Sequence, residues 1–416
     1  MALEIVNLGC RLNAYEGEVM RAHGRGAGLD ATVVINTCAV TGEAVRQARQ
    51  EIRKHRQRNP LARIVVTGCA AQLDPQAFAA MPEVDHVLGN EEKLDPRSFA
   101  RMALGTAPRL AVDEIMQAKR IRPRGIAGLA GHTRGFLQIQ QGCDHRCTFC
   151  IIPFARGNNR SLPPADILTE ARAMVEAGIK EIVLTGVDIG GYGGDLPGRP
   201  KLGQMAGDLL RKIPELARLR LSSLDPAEAD DALWQLLAEE PRLMPHFHLS
   251  LQSGDDLILK RMKRRHSRTD AIAFCRRARA LRPDIAFGAD LIAGFPTESE
   301  AMFQNSLSLV EDCGLSFLHV FPYSARAGTP AARMPQVEEG LRRTRAARLH
   351  AAGRAALDRF LAAQQGRRLR VLVEAGSRGH AENFATVEIN QGRRGEIAWF
   401  RVEGFRQGRL IGRRLT

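Results

Sequence analysis

The sequence predicts an α/β protein in three parts: an N-terminal open parallel α/β sheet, a central partial βα barrel and a small C-terminal antiparallel β-barrel. Strand-like runs alternate with helical patterns through the first hundred residues, which implies a parallel sheet flanked by helices. The alternation resumes across 135–330 in six βα units, enough for a partial or complete barrel. The tail changes character, to short β-prone runs broken by Gly, Asn and Arg turns. The predicted boundaries are 1–103 for the first part, 104–133 for a linker, 134–337 for the barrel, 338–365 for a connecting helical segment and 366–416 for the tail.

In the first part, EIVNLG runs into Cys10, ATVVINT into Cys38 and RIVVTG into Cys69. The carboxyl ends of strands in an open parallel sheet share one edge, and ligands bind there. Three cysteines distant in sequence are thereby expected to converge. Between the strands, EAVRQARQEIRKHRQR sets Ala44, Val45, Ala48 and Ile52 on one helical face, with Arg46, Arg49, Arg53 and Arg56 on the adjacent stripe. That stripe is either the solvated side of a helix or a track for phosphates. GRGAG at 24–28 lacks the preceding strand and the full glycine spacing of a phosphate loop, so it reads as a turn. The Arg-, Gly- and Ala-rich stretch 104–133 shows little structural commitment. The barrel strands fall in GFLQIQQ, EIVLTGV, RLRLSS, HFHLSLQ, IAFGADLIAGF and LSFLHVFPYS, and the carboxyl ends of such strands are where barrel active sites lie.

With 416 residues and 44% apolar content, the chain can fill several ordinary cores. It holds no apolar run of membrane-spanning length, and its N-terminus does not look like a secretory signal, so a cytoplasmic location is expected. A formal charge of +14 favours a polyanionic partner, most simply nucleic acid. Eight cysteines are too few for a disulfide scaffold of this length, so grouped cysteines point to metal or catalytic sites. Cys275 and Cys313 stand apart, within helical patterns, as core or surface residues.

The most specific pattern is GCDHRCTFC, which sets Cys143, Cys147 and Cys150 in Cys-x3-Cys-x2-Cys spacing after the first barrel strand. Structural zinc sites close all four positions with protein, and here only His145 is at hand to complete one. A compact triad without a fourth cysteine instead suits a [4Fe–4S] cluster that keeps one iron open for substrate. Phe149 is placed to pack against a ligand beside it. His246 and His248 share one strand face, yet no third ligand lies near in sequence, and neutral histidines within the barrel are the expectation.

Cys143-x3-Cys147-x-Phe149-Cys150 resembles the radical S-adenosylmethionine superfamily. CTFCIIPFARG, with Arg160 and Ser161 beyond it, resembles the methylthiotransferases within that superfamily, and the resemblance covers nearly the whole chain. GCRLN, INTCAVT and VTGCAAQ look like that family's auxiliary-cluster domain, and the tail looks like its RNA-binding TRAM barrel. The resemblance implies two [4Fe–4S] clusters, one on Cys143, Cys147 and Cys150 and one on Cys10, Cys38 and Cys69. S-adenosylmethionine would serve as radical source and methyl donor. LTGVDIGGYGGD, LSSLDP, LSLQSG, DLIAGFPTESE and FPYSARAGTPAARM match family motifs at strand ends. Gly186 and Gly294 would let backbone approach a bound nucleoside and amino acid, while Asp188, Ser222 and Gln252 would bond its ribose, amino or carboxylate groups. Asp225 departs from the family's usual Glu.

GCRLNAYEGE and INTCAVTGEAVRQARQEIR most resemble the branch that converts N6-threonylcarbamoyladenosine beside the tRNA anticodon to its 2-methylthio derivative. The partners implied are the tRNA anticodon stem-loop and an external electron donor such as flavodoxin or ferredoxin, with the sulfur donor left open. Alternatives are methylthiolation of a ribosomal-protein aspartate or of isopentenyladenosine in tRNA. A non-catalytic iron–sulfur RNA-binding protein is the remaining reading.

Overall fold

The computed structural model describes residues 3–121, 125, 133–375 and 377–415. Five parallel strands build the first sheet, in spatial order β1 (Glu4–Asn7), β2 (Thr32–Thr37), β3 (Arg63–Gly68), β4 (His86–Leu88) and β5 (Leu110–Ala111). Residues Val33, Val34 and Ile35 of β2 and Ile64, Val65 and Val66 of β3 are all buried, because both faces of a parallel sheet are covered. The stretch 104–133, which the sequence left uncommitted, supplies β5. A two-residue strand is too short to show any periodicity.

The central strands are β6 (Arg134–Gln138), β7 (Gln140–Gln141), β8 (Arg160–Ser161), β9 (Glu181–Thr185), β10 (Arg218–Leu221), β11 (Ser223–Leu224), β12 (His246–Gln252), β13 (Ala286–Ala293) and β14 (Leu315–Pro322). Seven of them form parallel sheets in the orders β10-β9-β6 and β11-β12-β13-β14, joined where β10 passes through Ser222 into β11, while β7 and β8 make a short antiparallel pair. Alternate residues of this curved wall, such as Leu137, Ile182, Leu184, Leu219, Phe247, Leu249, Phe287 and Leu291, share one core with the surrounding helices. The residues between them, including Glu181, Arg220, His248 and Asp290, therefore line the concave side. This lumen is polar, unlike the apolar, layered interior of a closed eight-stranded barrel.

The last five strands are β15 (Arg368–Ala375), β16 (Arg378–Ala381), β17 (Thr386–Ile389), β18 (Ile397–Arg406) and β19 (Arg409–Arg414), closed in the order β15-β16-β17-β19-β18. The pairing is antiparallel except between β17 and β19, where the β18–β19 hairpin returns the chain alongside β17 in the same direction. Val371, Val373, Val387, Phe400 and Leu410 fill its core. The turn between β16 and β17 carries Phe384 in the left-handed region at φ +71°, directly against the central wall. Its ring stacks on His246 at 4.6 Å and on His380 at 5.0 Å. Arg134 pairs with Glu374 at 2.6 Å, and Arg218 donates to the Arg370 carbonyl at 2.8 Å. Arg134, Glu181, Arg218 and His246 begin their strands, so the small barrel caps the end of the wall opposite the strands' carboxyl edge. No helix among the described residues is long and apolar enough to cross a membrane.

Candidate functional site: two facing cysteine triads

The first sheet delivers its three cysteines to one edge, two of them by a common device. Gly9 and Gly68 take φ of +98° and +96° immediately before Cys10 and Cys69, turning the chain sharply at each strand end. Side chains there have no room. A Cβ on Gly68 would lie 2.3 Å from the Thr37 carbonyl, and one on Gly9 would lie 2.9 Å from Cys38 Sγ. Cys10 then precedes the helix Arg11–Gly26, Cys69 opens the helix Cys69–Leu73, and Thr41 just beyond Cys38 caps the helix Gly42–Arg58 by accepting from the Ala44 N–H at 3.1 Å. Burial pushes the Cys38 thiol up to about 11, and nearby Cys69 and Cys10 push the same way.

The second triad needs no sheet edge, because one loop carries it. Burial pushes the Cys150 thiol up to about 12, with Cys147 and, from the first triad, Cys69 adding to the effect. Burial likewise raises Cys143, reinforced by Asp188 3.5 Å from its sulfur. Both are therefore protonated thiols at neutral pH, and a metal that displaces their protons gains a ready set of soft ligands. His145 is engaged elsewhere: its Nε2 lies 2.9 Å from Asp188 and 3.1 Å from Glu228, and these hydrogen bonds raise it to about 10. A protonated, doubly paired imidazole is a poor fourth ligand, which disfavours the zinc reading. Arg264 donates to Cys147 Sγ at 3.6 Å and to Asp225 at 2.9 Å, so Asp225 orients a cation onto the triad.

Arg156 joins the two triads. It ends the short helix Ile152–Arg156 that follows Cys150, and its side chain is 2% exposed. It donates to Cys69 Sγ at 3.1 Å, to Asn13 at 2.7 Å, to Gln141 at 3.0 Å and to both oxygens of Glu16 at 2.7 and 3.0 Å. Lys93, fully buried, closes the network on Glu16 at 2.6 Å. Burial opposes a charge on Glu16, but Arg156 and Lys93 outweigh it and hold the carboxyl at about 2. Ile151 and Ala155 share a core with Cys69, Ala70 and Ala71, so the loop triad and the sheet triad are packed as one body.

The other sequence-predicted residues are dispersed around this centre. Phe149 meets Phe295 edge-on, ring centroids 6.4 Å apart, within an apolar cluster that includes Ile258 and Tyr323. Gly186 turns its open side to Gln140, whose Oε1 accepts from the Val187 and Asp188 N–H groups at 2.9 and 2.8 Å. Gly294 turns its open side to Arg342, and its N–H bonds Glu298. Both glycines thus have protein, not open space, where the side chain would be. Ser222 lies buried at the break between β10 and β11, and Gln252 ends β12 at φ +68°. The arginine stripe serves structure: Arg46 pairs with Glu43, Arg49 lies over Phe78, Arg53 reaches Glu83 and Arg56 binds Asp85 and four backbone carbonyl contacts. Cys275 and Cys313 sit fully buried in the central core. Glu16, Lys93 and Arg156 went unforeseen, since a charge destined for burial leaves no periodic trace.

A parallel wall with a three-cysteine loop at its carboxyl edge defines a radical S-adenosylmethionine enzyme, and residues 137–310 match the Radical SAM superfamily model. Residues 2–89 match Uncharacterized protein family UPF0004. A threonylcarbamoyladenosine tRNA methylthiotransferase from Rickettsia prowazekii (strain Madrid E) is 49% identical over 93% of this chain and 91% of its own. A tRNA-2-methylthio-N(6)-dimethylallyladenosine synthase from Erythrobacter litoralis (strain HTCC2594) is 35% identical over 89% and 86%. The chain belongs to the radical S-adenosylmethionine methylthiotransferase family. In fold it is similar to the radical S-adenosylmethionine methyltransferase TsrM from Kitasatospora setae, with a TM-score of 0.56 at 15% identity, covering 80% of this chain and 77% of that one.

Proposed function

We propose that this chain converts N6-threonylcarbamoyladenosine beside the tRNA anticodon to its 2-methylthio derivative. Cys143, Cys147 and Cys150 would hold one [4Fe–4S] cluster, and Cys10, Cys38 and Cys69 the other. When bound, these groups supply reductive cleavage of S-adenosylmethionine to a carbon radical and a place for the sulfur to be transferred. The observation that carries the reading is the meeting of the two triads at Arg156, with Cys69 and Cys150 close enough to influence each other.

The fit rests on the donors present. Each triad offers three thiols, and neither has a fourth cysteine among the described residues to close its set. Arg264 and Arg156 each point an N–H at a sulfur, a contact that favours the thiolate over the thiol. His145, cationic between Asp188 and Glu228, fixes the loop between Cys143 and Cys147. An external electron donor such as flavodoxin or ferredoxin, and a separate sulfur source, complete the scheme.

Nucleoside mass spectrometry of tRNA from a strain lacking the gene tests the assignment. The 2-methylthio form should vanish and threonylcarbamoyladenosine should remain in its place. Loss of the methylthio group from isopentenyladenosine instead would move the enzyme to that branch, and unchanged tRNA with an altered ribosomal-protein aspartate would assign it to protein.

A further inference from the structure

The lumen of the central wall holds an unbalanced charge. Arg220 is paired with Glu181 at 2.9 and 3.2 Å, Arg134 with Glu374 at 2.6 Å, and Asp290 accepts from His248 at 2.9 Å with His319 3.3 Å away. Arg11 enters the same space from the helix that follows Cys10. Its guanidinium lies 5.7 Å from the centroid of Phe384, the ring that Arg134 and Arg220 approach at 5.6 and 5.0 Å. Among the described residues the Arg11 guanidinium makes no hydrogen bond or ion pair. Arg134 and Arg220 crowd it with like charge. Glu181 and Asp290 act on it only from a distance, each held by its own partners, so Arg11 is a largely desolvated cation without a direct ion-pair partner, and an anion bound beside it lowers the cost of that arrangement. The space is open to one, since Arg11 and Asp290 are only half-buried and His319 is exposed.

Arg11 directly follows Cys10, so its side chain leaves the backbone beside the sheet triad and reaches from there into the lumen toward Phe384. Methylthiolation at adenine C2 requires that carbon beside the same triad. The N6 substituent of threonylcarbamoyladenosine begins only a few bonds away and ends in a carboxylate, whereas a dimethylallyl substituent carries no charge. We propose that Arg11 is a specificity residue that pairs with the threonyl carboxylate of the substrate nucleoside. The assignment rests on the threonylcarbamoyladenosine reading above. Asp290, held anionic by its two histidines, faces the same lumen and repels a carboxylate, so a bound carboxylate needs direct contact with Arg11 to offset it. The other amino-acid carboxylate in this reaction belongs to S-adenosylmethionine, and the test separates the two.

Cluster-reconstituted wild type, R11K and R11Q would be assayed on two anticodon stem-loops, one with threonylcarbamoyladenosine and one with the threonyl carboxylate capped as its amide. Wild type should prefer the carboxylate RNA by about 10- to 100-fold in kcat/KM, the range expected for a charge-assisted hydrogen bond. R11Q should treat the two RNAs nearly alike, and R11K should recover part of the preference. The amide substrate probes the contact without altering the protein, so a folding defect in a variant cannot imitate the result. R11Q that keeps the full preference overturns the proposal. So does R11Q whose KM for S-adenosylmethionine rises while the RNA preference persists, because that assigns Arg11 to the cofactor's carboxylate. Wild type that modifies neither RNA overturns the substrate reading and the role of Arg11 with it.

Discussion

The sheet triad and the loop triad meet at Arg156, yet they are built in opposite ways. Cys143, Cys147 and Cys150 lie within eight consecutive residues, so local chain geometry alone keeps them together. Cys10, Cys38 and Cys69 come from three strand ends, and only the folded sheet, two left-handed glycines and the Glu16 network bring them to one edge. The loop triad is therefore a local motif, while the sheet triad is a property of the tertiary fold. A perturbation of the first sheet should reach the second site chiefly through Arg156.

The sharpest test of that division replaces one cysteine in each triad. C147S is expected to abolish 5′-deoxyadenosine formation from S-adenosylmethionine in the reconstituted, reduced enzyme. C38S should spare much of that cleavage while ending methylthio transfer. Equal loss of both activities in C38S would show that the two triads do not work separately.

The next largest effect concerns the buried network. In E16Q, Arg156 and Lys93 remain buried without their shared carboxylate, and uncompensated charges of this kind cost about 3–5 kcal/mol. Denaturant midpoints of the apoprotein should fall accordingly, and Arg156 should no longer hold the sheet triad against the loop. An E16Q protein of wild-type stability would mean that the network is not what joins the two. The same carboxylate sets an acid limit. Its folded value of about 2 lies below the ordinary value of 4.5, so its contribution is present above pH 4.5 and lost as pH falls from there toward 2. That loss is on the order of 3 kcal/mol and should appear in acid titrations followed by circular dichroism, but be absent in E16Q.

The comparison also marks what sequence makes legible. The Cys-x3-Cys-x2-Cys loop and the cysteines at strand ends are local signals, and so are the β-rich runs that became the first sheet, the central wall and the closing barrel. The polar lumen was half-visible, since RLRLSS and HFHLSLQ alternate strictly, but alternation does not say which face turns inward. Here Leu219, Leu221, Phe247 and Leu249 pack on helices while Arg220 and His248 face the concavity. Pairings across the chain were out of reach. Arg156 meets Glu16 across 140 positions, and Phe384 of the small barrel meets His246 of the central wall. Gly186 and Gly294 carried an ambiguous signal, because a missing side chain required by a neighbouring residue looks the same as one required by a ligand.

The smallest effect expected lies farthest from either triad, on the outer face of β18. Trp399 is 51% exposed there, opposite Arg370 of β15, while Arg401 stands in register with Arg368 on one side and Arg413 on the other. An exposed indole framed by guanidinium groups costs solubility and contributes little to the small barrel's core, but it offers a stacking platform among positive charges. W399A should leave stability within about 0.5 kcal/mol. Its affinity for a substrate stem-loop should weaken by about 1–3 kcal/mol, the usual worth of one stacked base, measured by fluorescence anisotropy. R401Q should instead reduce the salt dependence of binding, because it removes a positive charge and not a stacking surface. If W399A binds as wild type does while R401Q binds less tightly, the face engages RNA through charge alone. If neither changes, the RNA lies on a different surface, and Arg11 in the lumen becomes the residue from which its path is traced.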